Sequence, residues 1–384
     1  MEAQIFQTQN STEGQLQRFV AFFDDEERIV SLPTRWLQSL LDNPKGYSVK
    51  SVKTYAQNLR YFCETIASSD RWAHLTLDEI LRVLPVGMID QYLKSLQVGS
   101  LKSATIRNRD VTLKAFFEWM TTADAGRVRQ KSGYENGLKS LPPHNRMPRF
   151  VTKQQVIQLL NSIHNESQRA LIHFIFDSGV RVSEVPRILK SDIDALEFWP
   201  EHMCYLPLLI RGSKARGGEL VKERYTLISR AVYSRIKRYH NTPKFRFSKF
   251  GDSKGKPTFL TVHGKALTER SISKLMRDAA IRAEIDPRLI SPHNLRHGAA
   301  LSILKSEHGK DYLEKLVIIQ KQFGHSHITS TEQYTQIPPQ LFTQLNETSE
   351  IKTRFEEAQE IFDRTFLPQK MHKERRGHKN AAAH

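Results

Sequence analysis

The sequence predicts a mainly α-helical protein with a small antiparallel β-sheet, arranged as an all-α domain followed by an α+β domain. Three observations carry this. Apolar residues recur at helical spacing from Ser48 to Met120 and again after Thr152. Two strand-like runs, MCYLPLLI (203–210) and KERYTLI (222–228), flank the glycine-rich RGSKARGGELV, the pattern of a β-hairpin. Between the helical regions, residues 122–149 lose their periodicity and collect Gly126, Gly133, Gly137, Pro142, Pro143 and Pro148. A chain of 384 residues is long enough for two hydrophobic cores.

Charge bounds the partners. The net charge is +17 and the pI about 9.8, so nucleic acid is the first partner to consider, an anionic membrane the second, and no anionic partner at all the plain alternative. Cys63 and Cys204 are far apart and outside any paired motif, which excludes a disulfide framework and fits a reducing cytosol. No apolar run approaches the ~20 residues of a membrane span, and the N-terminus lacks a signal-peptide pattern. A cytoplasmic protein without a membrane partner is expected.

Taken in order, residues 1–45 form an N-terminal extension. RFVAFF (18–23) and RIVSL (28–32) flank DDEE and suggest two short strands, or a strand and a turn. A short helix carrying Trp36, Leu37, Leu40 and Leu41 then runs to Pro44. Residues 46–125 are the all-α domain. Val52, Tyr55, Leu59, Phe62 and Ile66 make its first stripe, and Thr76 and Glu79 have capping-box spacing. A third helix carries Met88, Ile89, Tyr92, Leu93 and Leu96; a fourth runs from about Lys102 to Met120. Residues 126–149, with Arg127, Arg129, Lys131, Lys139, Arg146 and Arg149, read as a basic linker.

The second domain, 150–347, opens with a capping box at Thr152 and Gln155. An apolar helix ends at Gly179, a natural left-handed cap, and Arg181 and Glu184 follow. As a bare pair these two are a surface ion pair of little value. After the hairpin, residues 229–240 form a basic amphipathic helix. Residues 241–257 interleave Lys and Arg with Phe245, Phe247 and Phe250, a pattern shared by nucleic-acid binders and by plain surface loops. A short strand at FLTV, a turn at Gly264 and a helix from about Thr268 come next.

The chemistry concentrates between Ser291 and Thr335. Pro292 and His293 begin a helix that sets His293, Arg296 and His297 on neighbouring turns; Gly324-His325 follows, then Tyr334 nine residues later. An arginine, two imidazoles and a phenol can surround one phosphodiester: cations hold the non-bridging oxygens while the hydroxyl attacks phosphorus. The i, i+4 pair His293/His297, with His325 and His327, also invites a metal reading. Against it, there is no HExxH motif and no carboxylate is spaced to complete a catalytic zinc site. No metal and no cofactor are expected.

In this order and spacing, the residues resemble the signature of the tyrosine recombinase (phage integrase) family. SGVRVSEV is similar to its first arginine box, usually Thr-Gly-Leu-Arg-x-Ser-Glu, with Ser178 and Val180 as conservative replacements. SVKSVKTYAQNLRYFCETI and SATIRNRDVTLKAFFEWM look like its core-binding domain, which clamps one side of a duplex. The resemblance implies Tyr334 as nucleophile, Arg181 and Arg296 on the phosphate, and His293 and His325 assisting. Glu184 becomes an orienting acid. The hairpin lysine that protonates the leaving oxygen matches Lys214 best, with Lys222 as the alternative. Phosphate contacts are then expected from Lys50, Lys53, Arg107, Arg109, Arg146 and Arg149.

The implied partners are double-stranded DNA with a specific core site and a homotetramer on two sites, with room for accessory DNA-bending proteins. Residues 348–384 would supply a helix with Ile351, Phe355, Ala358, Phe362 and Phe366 on one stripe, docked on a neighbouring protomer, and a disordered basic tail. The rival functions are a type IB topoisomerase, which religates the same strand, and a DNA-binding regulator with a vestigial site.

Overall fold

The computed structural model describes residues 1–9, 16–43, 47–142, 149–213, 222–251, 253–306, 312–324 and 353–367. These form two compact units, 1–142 and 149–367. The fold is mainly helical with two small antiparallel sheets, as the sequence predicts.

The first unit holds β1 (Glu2–Gln9), β2 (Leu16–Phe23) and helices α1 (Ser31–Asp42), α2 (Val49–Ala67), α3 (Leu77–Val83), α4 (Val86–Val98) and α5 (Ser103–Trp119). The extension is part of the unit's core. Val20 and Phe22 pack with Trp36 and Leu37 of α1, Val52, Leu59 and Phe62 of α2, and Phe116 and Phe117 of α5. β1, absent from the sequence expectation, pairs with β2 in the register Glu2↔Phe23 to Gln9↔Leu16. On the other edge of β2, α1 stands in for a third strand: the amides of Val20 and Phe22 donate to Gln38 Oε1 (3.0 Å) and Thr34 Oγ1 (2.9 Å).

The run 28–32 is not a strand, although Ile29 forms an isolated bridge to Phe23. α1 starts at Ser31 because Asp78 accepts from the amides of Ser31 (2.7 Å) and Leu32 (2.8 Å), a cap supplied from a distant helix. Residues 126–142, expected to begin a linker, pack onto the unit instead. Arg129 donates to the carbonyls of Leu81, Arg82 and Leu84, Tyr134 is buried, and Ser140 donates to Asp110.

The second unit contains α6 (Lys153–Asn161), α7 (Glu166–Ser178), α8 (Lys190–Asp194), β3 (Tyr205–Ser213), β4 (Lys222–Ser229), α9 (Arg230–His240), α10 (Pro243–Arg246), α11 (Glu269–Arg282), α12 (Pro292–Lys305), α13 (Tyr312–Phe323) and α14 (Arg354–Arg364). Leu206, Leu208, Ile210 and Ile228 turn one hairpin face into a core shared with α7, α9 and α11. α12 crosses so close to the unit's first residues that a Cβ on Gly298 would lie 2.3 Å from the Val151 carbonyl. FLTV forms no strand, only the bridge Leu260↔Ala266. In 241–257, Phe245 is buried against His240 and Lys256, Phe250 packs on the core, and Phe247 alone of the three is exposed.

The tail helix α14 is seated against α9 and α6 of its own unit. Its buried face is rotated from the expected stripe: Arg354, Ala358, Ile361 and Thr365 point inward and Phe366 is exposed. The reason is polar. Arg354 donates to Gln322 Oε1 (3.2 Å) and to the Asp177 carbonyl. Arg235 of α9 donates to Phe362 O (3.0 Å) and Thr365 Oγ1 (2.6 Å) at the helix's C-terminal end. The rings of Phe362 and Phe366 lie under the guanidiniums of Arg235 and Arg238, at 4.9 and 4.0 Å. No helix among the described residues is long and apolar enough to cross a membrane.

Candidate active site

α7 ends at Gly179, whose φ of 64° lets the chain turn sharply toward Arg181. Glu184 reaches back to that turn. Its Oε2 accepts from the Arg181 amide (2.8 Å) and its Oε1 from Arg181 Nη1 (3.1 Å). Glu184 is fully buried, far from the solvated ion pair that spacing alone suggests. Burial pushes its carboxyl up, but the charge and hydrogen bonds of Arg224, then Arg181, outweigh this and hold it below the usual range.

Arg296 comes from the second turn of α12. It donates to the Gly179 carbonyl and to Phe323 O (2.9 Å), with its guanidinium 4.2 Å over the Phe323 ring. Arg181 Nη2 donates to the adjacent carbonyl, Gly324 O, at 3.1 Å. Two arginines from distant segments therefore grip consecutive carbonyls at the end of α13. A side chain at Gly324 is excluded there, since its φ is 63° and a Cβ would lie 2.4 Å from Arg224 Cδ.

His293 lies one turn before Arg296, with its Nε2 2.8 Å from His297 Nε2, so one ring donates and the other accepts. Partial burial and the Arg296 charge hold His293 below the usual imidazole range. Burial, His293 and Arg296 push His297 down to about 4. Both shifts favour the neutral imidazoles, and the shared hydrogen bond joins the two rings.

A family model described as the phage integrase family matches residues 149–340, half of the chain. The chain belongs to the phage integrase family. Among curated family members, tyrosine recombinase XerC of Halalkalibacterium halodurans is 26% identical over 303 residues, 76% of this chain and 88% of that protein. Tyrosine recombinase XerD of Staphylococcus saprophyticus is 26% identical over 299 residues, 76% and 90% of the two chains. The fold resembles XerH site-specific recombinase bound to its difH substrate (TM-score 0.55, 21% identity, 79% of this chain and 81% of that one). It also resembles the Tn1549 transposon integrase in complex with circular intermediate DNA (TM-score 0.55, 16% identity, 83% and 99%).

Of the residues that the phage integrase signature singles out, Arg181, Glu184, Arg296 and His293 lie around one end of α7, α12 and α13. Lys214, His325, Tyr334 and Arg146 lie outside the described residues. Lys50, Lys53 and Arg149 are exposed. Arg107 and Arg109 turn inward: Arg107 donates to Ser140 O, and Arg109 stacks 4.1 Å over Tyr61 and donates to the Tyr92 hydroxyl (3.1 Å).

Two further residues were not singled out from the sequence. Arg224 joins Glu184 from β4. Gln322 donates to the carbonyls of Ser178 (3.3 Å) and Leu227 (3.4 Å) while accepting from Arg354. The signal for Arg224 was the two-residue period of KERYTLI, which sets it on the same strand face as Thr226 and Ile228, a charge in a buried row. The loop end of the hairpin carries its own fastening, since Arg187 donates to the carbonyl of Gly212, a residue at φ 85° within the register shift between Ile210 and Ser213.

Proposed function

We propose that this protein is a site-specific DNA recombinase that cuts and rejoins double-stranded DNA through a covalent 3′-phosphotyrosyl intermediate. The observation that carries the reading is the grip of Arg181 and Arg296 on the Phe323 and Gly324 carbonyls, one residue before His325. Two permanent cations are thereby held at the start of the segment that leads to Tyr334. A guanidinium has five donors in a fixed fork suited to phosphate oxygens, and Arg181 keeps 27% of its side chain exposed to receive them.

In cleavage, the Tyr334 oxygen attacks the scissile phosphorus, the P–O5′ bond breaks, and the DNA 3′ end becomes a tyrosyl phosphodiester. Arg181 and Arg296 hold the non-bridging oxygens as charge builds on them. His293, hydrogen-bonded to His297, accepts the tyrosine proton, and His325 donates a hydrogen bond to a phosphoryl oxygen. Lys214, or Lys222 in its place, protonates the leaving 5′ oxygen. The ester conserves the phosphodiester energy, so attack by a partner strand's 5′-hydroxyl reverses the chemistry and exchanges strands through a Holliday junction. Four protomers on two core sites, linked by exchange of α14, accomplish this in the cytoplasm, where the exposed Cys204 stays reduced.

The test is a nicked suicide substrate, whose 5′ product diffuses away and traps the adduct. Tyr334→Phe should bind DNA with unchanged affinity and form no covalent complex. Adduct formation by the Phe variant at the wild-type rate would remove Tyr334 from the mechanism and point to Tyr312.

A further inference from the structure

Arg224 is an unexpected occupant of its position. It shares a strand face with Thr226 and Ile228, and its side chain is only 9% exposed. Burying a guanidinium is costly unless it is paired and fully hydrogen-bonded. Here Nη2 donates to Glu184 Oε2 (2.7 Å), Nε faces Glu184 Oε1 (3.4 Å), and Nη1 donates to the Gln322 carbonyl. The aliphatic stem fills the space over Gly324.

These bonds close a ring. Arg224 holds Glu184; Glu184 holds the Arg181 amide and guanidinium; Arg181 holds the Gly324 carbonyl. From Gly324 the chain runs back two residues to Gln322, which Arg224 also holds. Without Arg224, Glu184 keeps one cation instead of two and draws Arg181 toward itself. The end of α13 simultaneously loses its strand contact. We propose that Arg224 is a positioning residue for DNA cleavage: it fixes the direction of Arg181 and the departure of the chain toward His325 without touching DNA.

The inference rests on the recombinase reading, in which Arg181 neutralises charge on the scissile phosphate. This gives a readout that a loss of packing does not share. A methylphosphonate at the scissile position carries no negative charge in the ground state, so a well-aimed Arg181 matters less to its cleavage. Single-turnover cleavage by the full chain is compared on phosphate and methylphosphonate suicide substrates. Arg224→Gln should bind DNA within about threefold of wild type and cleave the phosphate about 100-fold more slowly, the scale of losing one oxyanion donor. On the methylphosphonate its deficit should shrink below about tenfold.

Arg224→Lys keeps the charge but cannot bridge Glu184 and Gln322 together. It should fold as wild type and show the same substrate dependence, which covers the case in which the Gln variant does not fold. Equal deficits on the two substrates, or wild-type rates in either folded variant, would overturn the proposal. Failure of the wild-type protein to form any adduct would instead overturn the recombinase reading on which it rests.

Discussion

Glu184 shows what a single residue contributes and how much of it the sequence could disclose. Its spacing from Arg181 made the pair legible; its burial was not, because the residue that completes its surroundings is Arg224, on a strand 40 positions away. A carboxylate between two guanidiniums stabilises the fold only while all three charges are present. Glu184→Gln keeps the shape and removes the charge, leaving Arg224 buried without a counter-ion. Breaking such a pair costs about 3–5 kcal/mol. The second unit should therefore melt well below wild type, and Glu184→Gln with Arg224→Gln should be less destabilised than the sum of the single variants. A double variant that is fully additive in thermal melts would mean that the two side chains do not act as a pair.

At the scale of elements, the sequence was most informative where the determinant is local. Thr76 and Thr152 each cap a helix with a residue three positions on, as their spacing says. It was least informative where the partner is distant. Among the described side chains of β1, Ala3 and Ile5 turn inward, and its register comes from β2 and the core beneath; the start of α1 is set by Asp78. The tail helix belongs to the second kind. Its aromatic stripe was visible, yet Arg354 and Arg235, not the phenylalanines, choose the buried face. Truncation after Asn346 removes two acceptors of Arg235, a guanidinium that burial pushes down to about 10. It also removes the Arg354 link to Gln322. The truncated protein should retain single-site DNA binding, melt at a lower temperature in its second unit, and fail to assemble two sites. A peptide spanning residues 348–367 should restore the melting temperature when added. Unchanged melting after truncation would show that the seat contributes nothing.

For the whole molecule, the division into two units was legible because each carries its own periodic core, while the β1–β2 sheet within the first core and the position of the linker were not. Arg129 and Tyr134 look like linker residues in sequence and fasten to α3 and α5 in space. Buried histidines were equally hidden, and they give the second unit a pH dependence. Burial and the nearby Arg235 charge hold His173 well below the usual imidazole range. Burial pushes His240 down to about 4 despite its hydrogen bond to Thr258 O (3.0 Å), and His297 is pushed to a similar value. In the unfolded chain each titrates near 6.5. The folded state thus binds fewer protons than the unfolded state between pH 6.5 and about 4. The stability associated with these rings is complete above 6.5 and is lost as pH falls through that window. From pH 7 to pH 5 His240 and His297 should each cost the fold about 2 kcal/mol, His173 acts in the same direction, and most carboxylates remain ionised in both states over this range. Asp177, whose carboxyl burial pushes up, works in the opposite direction and offsets part of the loss. The urea midpoint of the second unit should accordingly fall on acidification. His240→Gln, which preserves the donor to Thr258 and cannot take a proton, should lower the starting stability yet flatten the decline by one histidine's share. A midpoint independent of pH between 7 and 5.5, or an undiminished slope in the His240→Gln variant, would show that these rings are already protonated or solvated in the fold.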